Sequence, residues 1–170
     1  MAANKKLLFI SHSADDKKNV DKICNYLREV VKIKNTTPPF DILYSSSEYT
    51  DERPQQMLLA ETVLKVHKST NFIAYITNNY IESLPCNLEL GAALTKAKKK
   101  TLLINNGVSS EKLGILTERI YECINNDLIK SIEISLGITI SQEQKDAFRK
   151  VVTEIENNNR DNNKDSDIKE

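Results

Sequence analysis

One carboxylate in this chain stands where a charge is hard to explain. It is Glu89, within Asn79-Tyr80-Ile81-Glu82-Ser83-Leu84-Pro85-Cys86-Asn87-Leu88-Glu89-Leu90-Gly91-Ala92-Ala93, near the start of a helix whose other residues are apolar or small. Burying an unpaired carboxylate costs several kcal/mol, so stability alone rarely puts one there. Two readings follow: an acid serving the dipole at a helix N-terminus, or a functional acid in a cleft. Small hydroxyls accompany it. Ser11-His12-Ser13 follows one apolar run, Ser45-Ser46-Ser47-Glu48 follows a second, and Asn78 to Cys86, with Ser83, follows a third. In an open parallel sheet, ligands bind at loops leaving the carboxyl ends of strands. These residues can therefore line one cleft, although loop and capping chemistry accounts equally well for any single serine. His12 reads equally as a donor to a ligand or as a surface-loop histidine, and His67 reads as structural.

The elements that must position these groups alternate. Lys6 to Ile10 reads as a strand, and Ser13-Ala14-Asp15-Asp16 resembles a capping box with Asp16 in place of Glu or Gln. Val20, Ile23, Cys24, Leu27, Val30 and Val31 then mark one face of an amphipathic helix, broken at Thr36-Thr37-Pro38-Pro39. Phe40 to Tyr44 reads as a second strand, Ser45 to Pro54 as a polar loop, and Gln55 to Lys68 as a helix with Met57 and Leu64 inward. Phe72 to Thr77 is a third strand and Asn78-Asn79 a turn; the Glu89 helix follows, then Thr101 to Ile104 as a fourth strand ended by Asn105-Asn106-Gly107. Arg119 to Ile124 supplies a short fifth strand. Asp127 to Leu136 reads as a short helix, and Ser141-Gln142-Glu143-Gln144 as a capping box opening a last helix to about Ile155. The polar stretch from Glu156 to Glu170 is expected to be a disordered tail. Such alternation implies right-handed crossovers and a parallel sheet covered by helices on both faces, in one domain over residues 1–155.

Composition removes several function classes. The 170 residues hold 24 Lys and Arg against 24 Asp and Glu, which is no footprint of a nucleic-acid binder. The one basic run, Lys96, Lys98, Lys99 and Lys100, reads as a solvated helix end. No run approaches about 18 apolar residues and no signal-peptide core opens the chain, so a cytoplasmic protein without a membrane partner is expected. Cys24, Cys86 and Cys123 are widely spaced and read as reduced thiols, and two histidines make a metal centre improbable. The glycines, Gly91, Gly107, Gly114 and Gly137, form neither G-x-G-x-x-G nor a Walker loop, and no G-x-S-x-G elbow exists.

Together, Leu8-Phe9-Ile10-Ser11-His12-Ser13 with Asp15 or Asp16, Tyr44-Ser45-Ser46-Ser47, and Asn79-Tyr80 and Ser83 with Cys86 three residues before Glu89 resemble the bacterial form of the Toll/interleukin-1 receptor (TIR) domain family. The resemblance spans about Lys6 to Asn105, with a fainter continuation to about Ile134. It implies a flavodoxin-like three-layer sandwich with a five-stranded parallel sheet. It also implies cleavage of NAD+ at the nicotinamide-ribose bond, with NAD+ as substrate rather than resident cofactor. By it, Glu89 is catalytic, and Ser11, His12, Ser13, Tyr44, Ser45, Ser46, Ser47, Tyr80, Ser83 and Cys86 surround the substrate. Similar enzymes carry an aromatic residue where this chain has Pro85, which leaves stacking to Tyr80, Tyr49 or Tyr44. The loop Glu48 to Pro54, which usually contains glycine in the family, has none. Similarity to single-domain anti-phage defence members implies self-association and a separately encoded effector that senses ADP-ribose or a cyclic product. Two further readings stand beside this one. Glu-Leu-Gly-Ala-Ala also resembles the nucleophile helix of nucleoside deoxyribosyltransferases, and a non-catalytic adapter would act by self-assembly alone.

Overall fold

A computed structural model describes residues 6–32, 40–44, 55–96, 100–105, 107–114, 116, 120–122, 129–130, 133, 137 and 139–166. Strand β1 (Lys6–Ser11) leads through a 3₁₀ turn (Ala14–Asp16) into α1 (Lys17–Lys32). Then come β2 (Phe40–Tyr44), α2 (Gln55–Lys68), β3 (Asn71–Ile76), α3 (Asn78–Glu82), α4 (Leu84–Leu94) and β4 (Lys100–Asn105). Helix α5 (Ser110–Leu113), β5 (Ile120–Glu122) and α6 (Gln142–Ser166) complete the order. The class is mixed α/β with a parallel sheet, ordered β2-β1-β3-β4-β5. Parallel neighbours need crossovers, and the helices between the strands supply them.

Side chains alternate across a strand, and the two resulting sets enter different cores. Leu8 and Ile10 of β1 with Ile73 and Tyr75 of β3 meet Val20, Ile23, Cys24 and Leu27 of α1 and Phe148, Val152 and Ile155 of α6. Across the sheet, Phe9, Phe72, Ala74 and Ile76 meet Val66 of α2, Tyr80 of α3, and Cys86, Leu90 and Ala93 of α4. The register pairs Phe9 with Phe72, whose rings stack at 5.9 Å. Every residue of β3 is buried, which is why its sequence is a near-continuous apolar run.

The structure corrects several expectations. Leu64 points outward, 56% exposed, because Thr62 and Val66 set the inward face of α2 and Leu64 lies between them. Asn78-Asn79 is no turn but the start of α3. Ser13 caps its 3₁₀ turn without a side-chain hydrogen bond, and Asp16 turns inward instead of closing a capping box. At α6 the box does close, Ser141 N–H donating to Gln144 Oε1 at 2.9 Å and Gln144 N–H to Ser141 Oγ at 3.3 Å. That helix runs on to Ser166 rather than ending near Ile155. The expected boundary marks where apolar periodicity stops, and a helix can outlast the face that anchors it. The Ser45 to Pro54 loop and most of the expected Asp127 to Leu136 helix lie outside the described residues.

Candidate active site

Strand alternation places the first functional group. Ser11 shares the face of Phe9 and lies opposite Ala74 in the register, so its hydroxyl enters the core beneath α3 and α4. Two hydroxyl caps bring those helices to it. Thr77 leaves β3 in extended conformation and caps α3, its Oγ1 accepting from Tyr80 N–H at 3.1 Å. Ser83 ends α3 and caps α4, accepting from Cys86 N–H at 3.5 Å, and Asn87 Nδ2 donates back to Ile81 O at 2.7 Å. Pro85 falls in the first turn of α4, where its missing N–H costs nothing. Glu89 comes later than that turn, which contains no acid, so the helix-dipole reading of Glu89 lapses.

Glu89 is instead wholly buried, with Ser11 Oγ donating to its Oε2 at 2.5 Å. With the Ser11 proton on Glu89, the Tyr80 hydroxyl is the donor to its two neighbours, its single proton shared between Ser11 Oγ at 3.0 Å and Cys86 O at 3.2 Å. One acid, one serine, one phenol and a helix carbonyl thus form a continuous buried network, in surroundings where each such bond is strong and each lost one costly. Burial pushes the Tyr80 phenol well above its ordinary 10, against the hydrogen bond with Ser11, and nearby Cys86 and Glu89 add to the rise. Tyr80 therefore acts as a neutral donor. The Cys86 thiol is pushed up to about 12, first by burial and further by Glu89 and Asp16, so it stays protonated and unreactive.

The structure thus brings together Ser11, Tyr80, Cys86 and Glu89, with Ser83 supporting their helix. His12 is also buried, but its Nδ1–H donates to Ser13 O at 2.7 Å, and burial lowers its pKa, which keeps the ring neutral. Tyr44 ends β2, while Ser45, Ser46, Ser47 and Tyr49 lie outside the described residues. Tyr80 offers no ring face for stacking, because it is 1% exposed and lies in the core. Thr77 was missed from sequence, and Asp16 entered only as a helix cap and as part of the family motif. Thr77 Oγ1 donates to Asp16 Oδ2 at 2.6 Å, both residues buried, and the only local signal was an acid placed after Ser-His-Ser. Among the described residues, no cluster of three or more His, Cys, Asp or Glu is placed to hold a metal ion, and no helix is long and apolar enough to cross a membrane.

A parallel α/β domain with a buried acid and hydroxyl network at its strand ends is the class that fold and site define. The family model described as TIR domain matches residues 8–106, more than half of the chain, and the chain belongs to the TIR domain family. The match takes in Ser11, Asp16, Thr77, Tyr80, Cys86 and Glu89. A search of curated proteins finds no match to the chain.

Proposed function

We propose that this TIR domain cleaves NAD+ at the nicotinamide-ribose bond with Glu89 as the catalytic carboxylate. The observation that carries this reading is the wholly buried Glu89, aligned by Ser11 where β1 and β3 end. The strand order β2-β1-β3-β4-β5 agrees with a flavodoxin-like three-layer sandwich, whose ligand sites lie at such strand ends. The chemistry needs one acid. Nicotinamide leaves with the electron pair of the broken C–N bond and becomes neutral, so no second carboxyl group must protonate it, unlike the sugar leaving group of two-carboxylate glycosidases. Glu89 meets the positive charge that develops on the ribose. Water adds at that carbon and loses a proton, giving ADP-ribose; attack from within the same molecule gives a cyclic product.

Substrate access requires Glu89 to be uncovered, since it has no solvent exposure in this arrangement. Self-association is the proposed trigger, and a separately encoded effector that senses the product in bacterial anti-phage immunity is the proposed partner. Residues 1–155 form the proposed domain, working in the cytoplasm, with no nucleic-acid or membrane partner. The burial of Glu89 also favours a second reading, a non-catalytic adapter in which the carboxylate only ties α4 to β1. Family membership displaces the deoxyribosyltransferase reading.

Incubating the purified chain with NAD+, concentrated and dilute, and resolving nicotinamide and ADP-ribose products by mass spectrometry separates the two. The expected result is product from the wild type and none from Glu89→Gln. Equal nicotinamide release by both proteins would remove Glu89 from the mechanism. Silence from the wild type at every concentration would favour the adapter.

A further inference from the structure

A second buried acid lies within the same network. Asp16 is 7% exposed, and its carboxyl is held above its ordinary range by that burial, against the hydrogen bond from Thr77 and with a further push from Asp15. A surface cap would have left it in water. Asp16 N–H bonds Ser13 O at 3.0 Å, which fixes the 3₁₀ turn, and Oδ2 receives the Thr77 hydroxyl across 61 residues of sequence. Thr77 has a single hydroxyl proton. With that proton committed to Asp16, its lone pairs are left facing the Tyr80 N–H, which it accepts at 3.1 Å. Tyr80 in turn reaches Ser11 and the carbonyl of Cys86, and Ser11 holds Glu89. The charges of Glu89 and Asp16 both push the Cys86 thiol upward.

We infer that Asp16 is a positioning residue for Glu89, acting through Thr77, Tyr80 and Ser11: hydrogen bonds tie Asp16 to Thr77 and Thr77 to the Tyr80 backbone, the Tyr80 side chain carries the constraint to its hydroxyl, and that hydroxyl meets the serine that holds Glu89. This rests on the NAD+-cleaving reading for its kinetic consequence, though not for the chain of contacts itself. Its requirement is a hydrogen-bond acceptor at position 16, not a charge. Asparagine meets that requirement through its side-chain oxygen; alanine does not.

Four variants and two measurements test it. In Asp16→Ala, kcat for nicotinamide release should fall about ten- to a hundredfold with KM nearly unchanged, as expected of a catalytic group displaced by a fraction of an ångström. Thr77→Val should match it, and the double variant should be no worse than either single one. Asp16→Asn should recover activity to within about threefold of wild type. The second measurement is amide hydrogen exchange, which needs no activity: Tyr80 N–H should exchange about tenfold faster in Asp16→Ala than in wild type, and at the wild-type rate in Asp16→Asn. Unchanged Tyr80 exchange in Asp16→Ala would overturn the inference whatever the kinetics. So would an Asp16→Asn variant as impaired as Asp16→Ala, which would assign the role to charge. A wild type that leaves NAD+ intact would fail the functional reading alone, and the exchange result would then decide the chain of contacts by itself.

Discussion

The two faces of the sheet bury similar side chains near their middles and differ at one end. Beneath α1 and α6 the core is hydrocarbon with a thiol and two phenols, and Tyr26 and Phe148 close it ring to ring at 4.7 Å. Beneath α3 and α4, aromatic and aliphatic packing continues from Phe9 and Phe72 only as far as Ser11. There a serine, a phenol and a carboxylate take over. The first face is held mainly by apolar side chains that gain by leaving water. The second keeps a carboxylate out of water by means of directed hydrogen bonds, an arrangement that is weak evidence for stability and better evidence for function.

That contrast can be broken in order of effect. Glu89→Gln should abolish nicotinamide release, at least about a hundredfold by quantitative mass spectrometry, while the circular dichroism spectrum stays that of the wild type. A variant that retained activity would reduce the second face to another piece of core. Phe148→Ala on the first face should cost about 3–5 kcal/mol in a urea titration and leave turnover per folded molecule unchanged. Loss of turnover there would couple the faces. Ser11→Ala should cost about 1–3 kcal/mol, because it strips a donor from a buried carboxylate, and should lower turnover as well.

Smaller effects sharpen the comparison. Burial raises the Asp16 carboxyl pKa above its ordinary 3.8, so between those values the folded protein binds more protons than the unfolded chain. The sign then follows: Asp16's contribution to stability falls as pH rises through that window. Asp16→Asn should flatten the slope in denaturation midpoints measured from pH 4 upward; a slope identical to wild type would assign it to another group. Finally, the faces should agree in one respect. Cys24 and Cys86 are both pushed up to about 12, first by burial, so peptide mapping after iodoacetamide at pH 8 should find neither modified in the folded protein.

How much of this was legible beforehand depended on whether the cause was local. Phe40 to Tyr44 and Gln55 to Lys68 fall where the sequence pattern puts them, since an apolar run and a breaker define each. Ser11 and Glu89 stand out as candidates because an odd residue type interrupts an apolar context. Helix α3 was not legible: its cap, Thr77, reads as the last residue of an apolar strand, and five residues carry little periodicity. Nor was the partner of Asp16, because a hydrogen bond spanning 61 residues leaves no trace in spacing. Leu64 was misplaced for a related reason, since the phase of α2 is set by what lies under Thr62 and Val66 and not by the apolar residue itself.

Alternation along β1 has a consequence for how this site can change over generations. Phe9 and Ser11 lie two residues apart on one face, alternating with Leu8 and Ile10 on the other. Gaining or losing one residue within the strand would turn Ser11 away from Glu89 and, in the same stroke, send the other β1 side chains into the opposite core. An insertion or deletion within β1 that displaces Ser11 therefore also disrupts the packing of the domain. Loss of the Ser11–Glu89 pair by way of β1 should therefore come through point substitution, which leaves the scaffold intact.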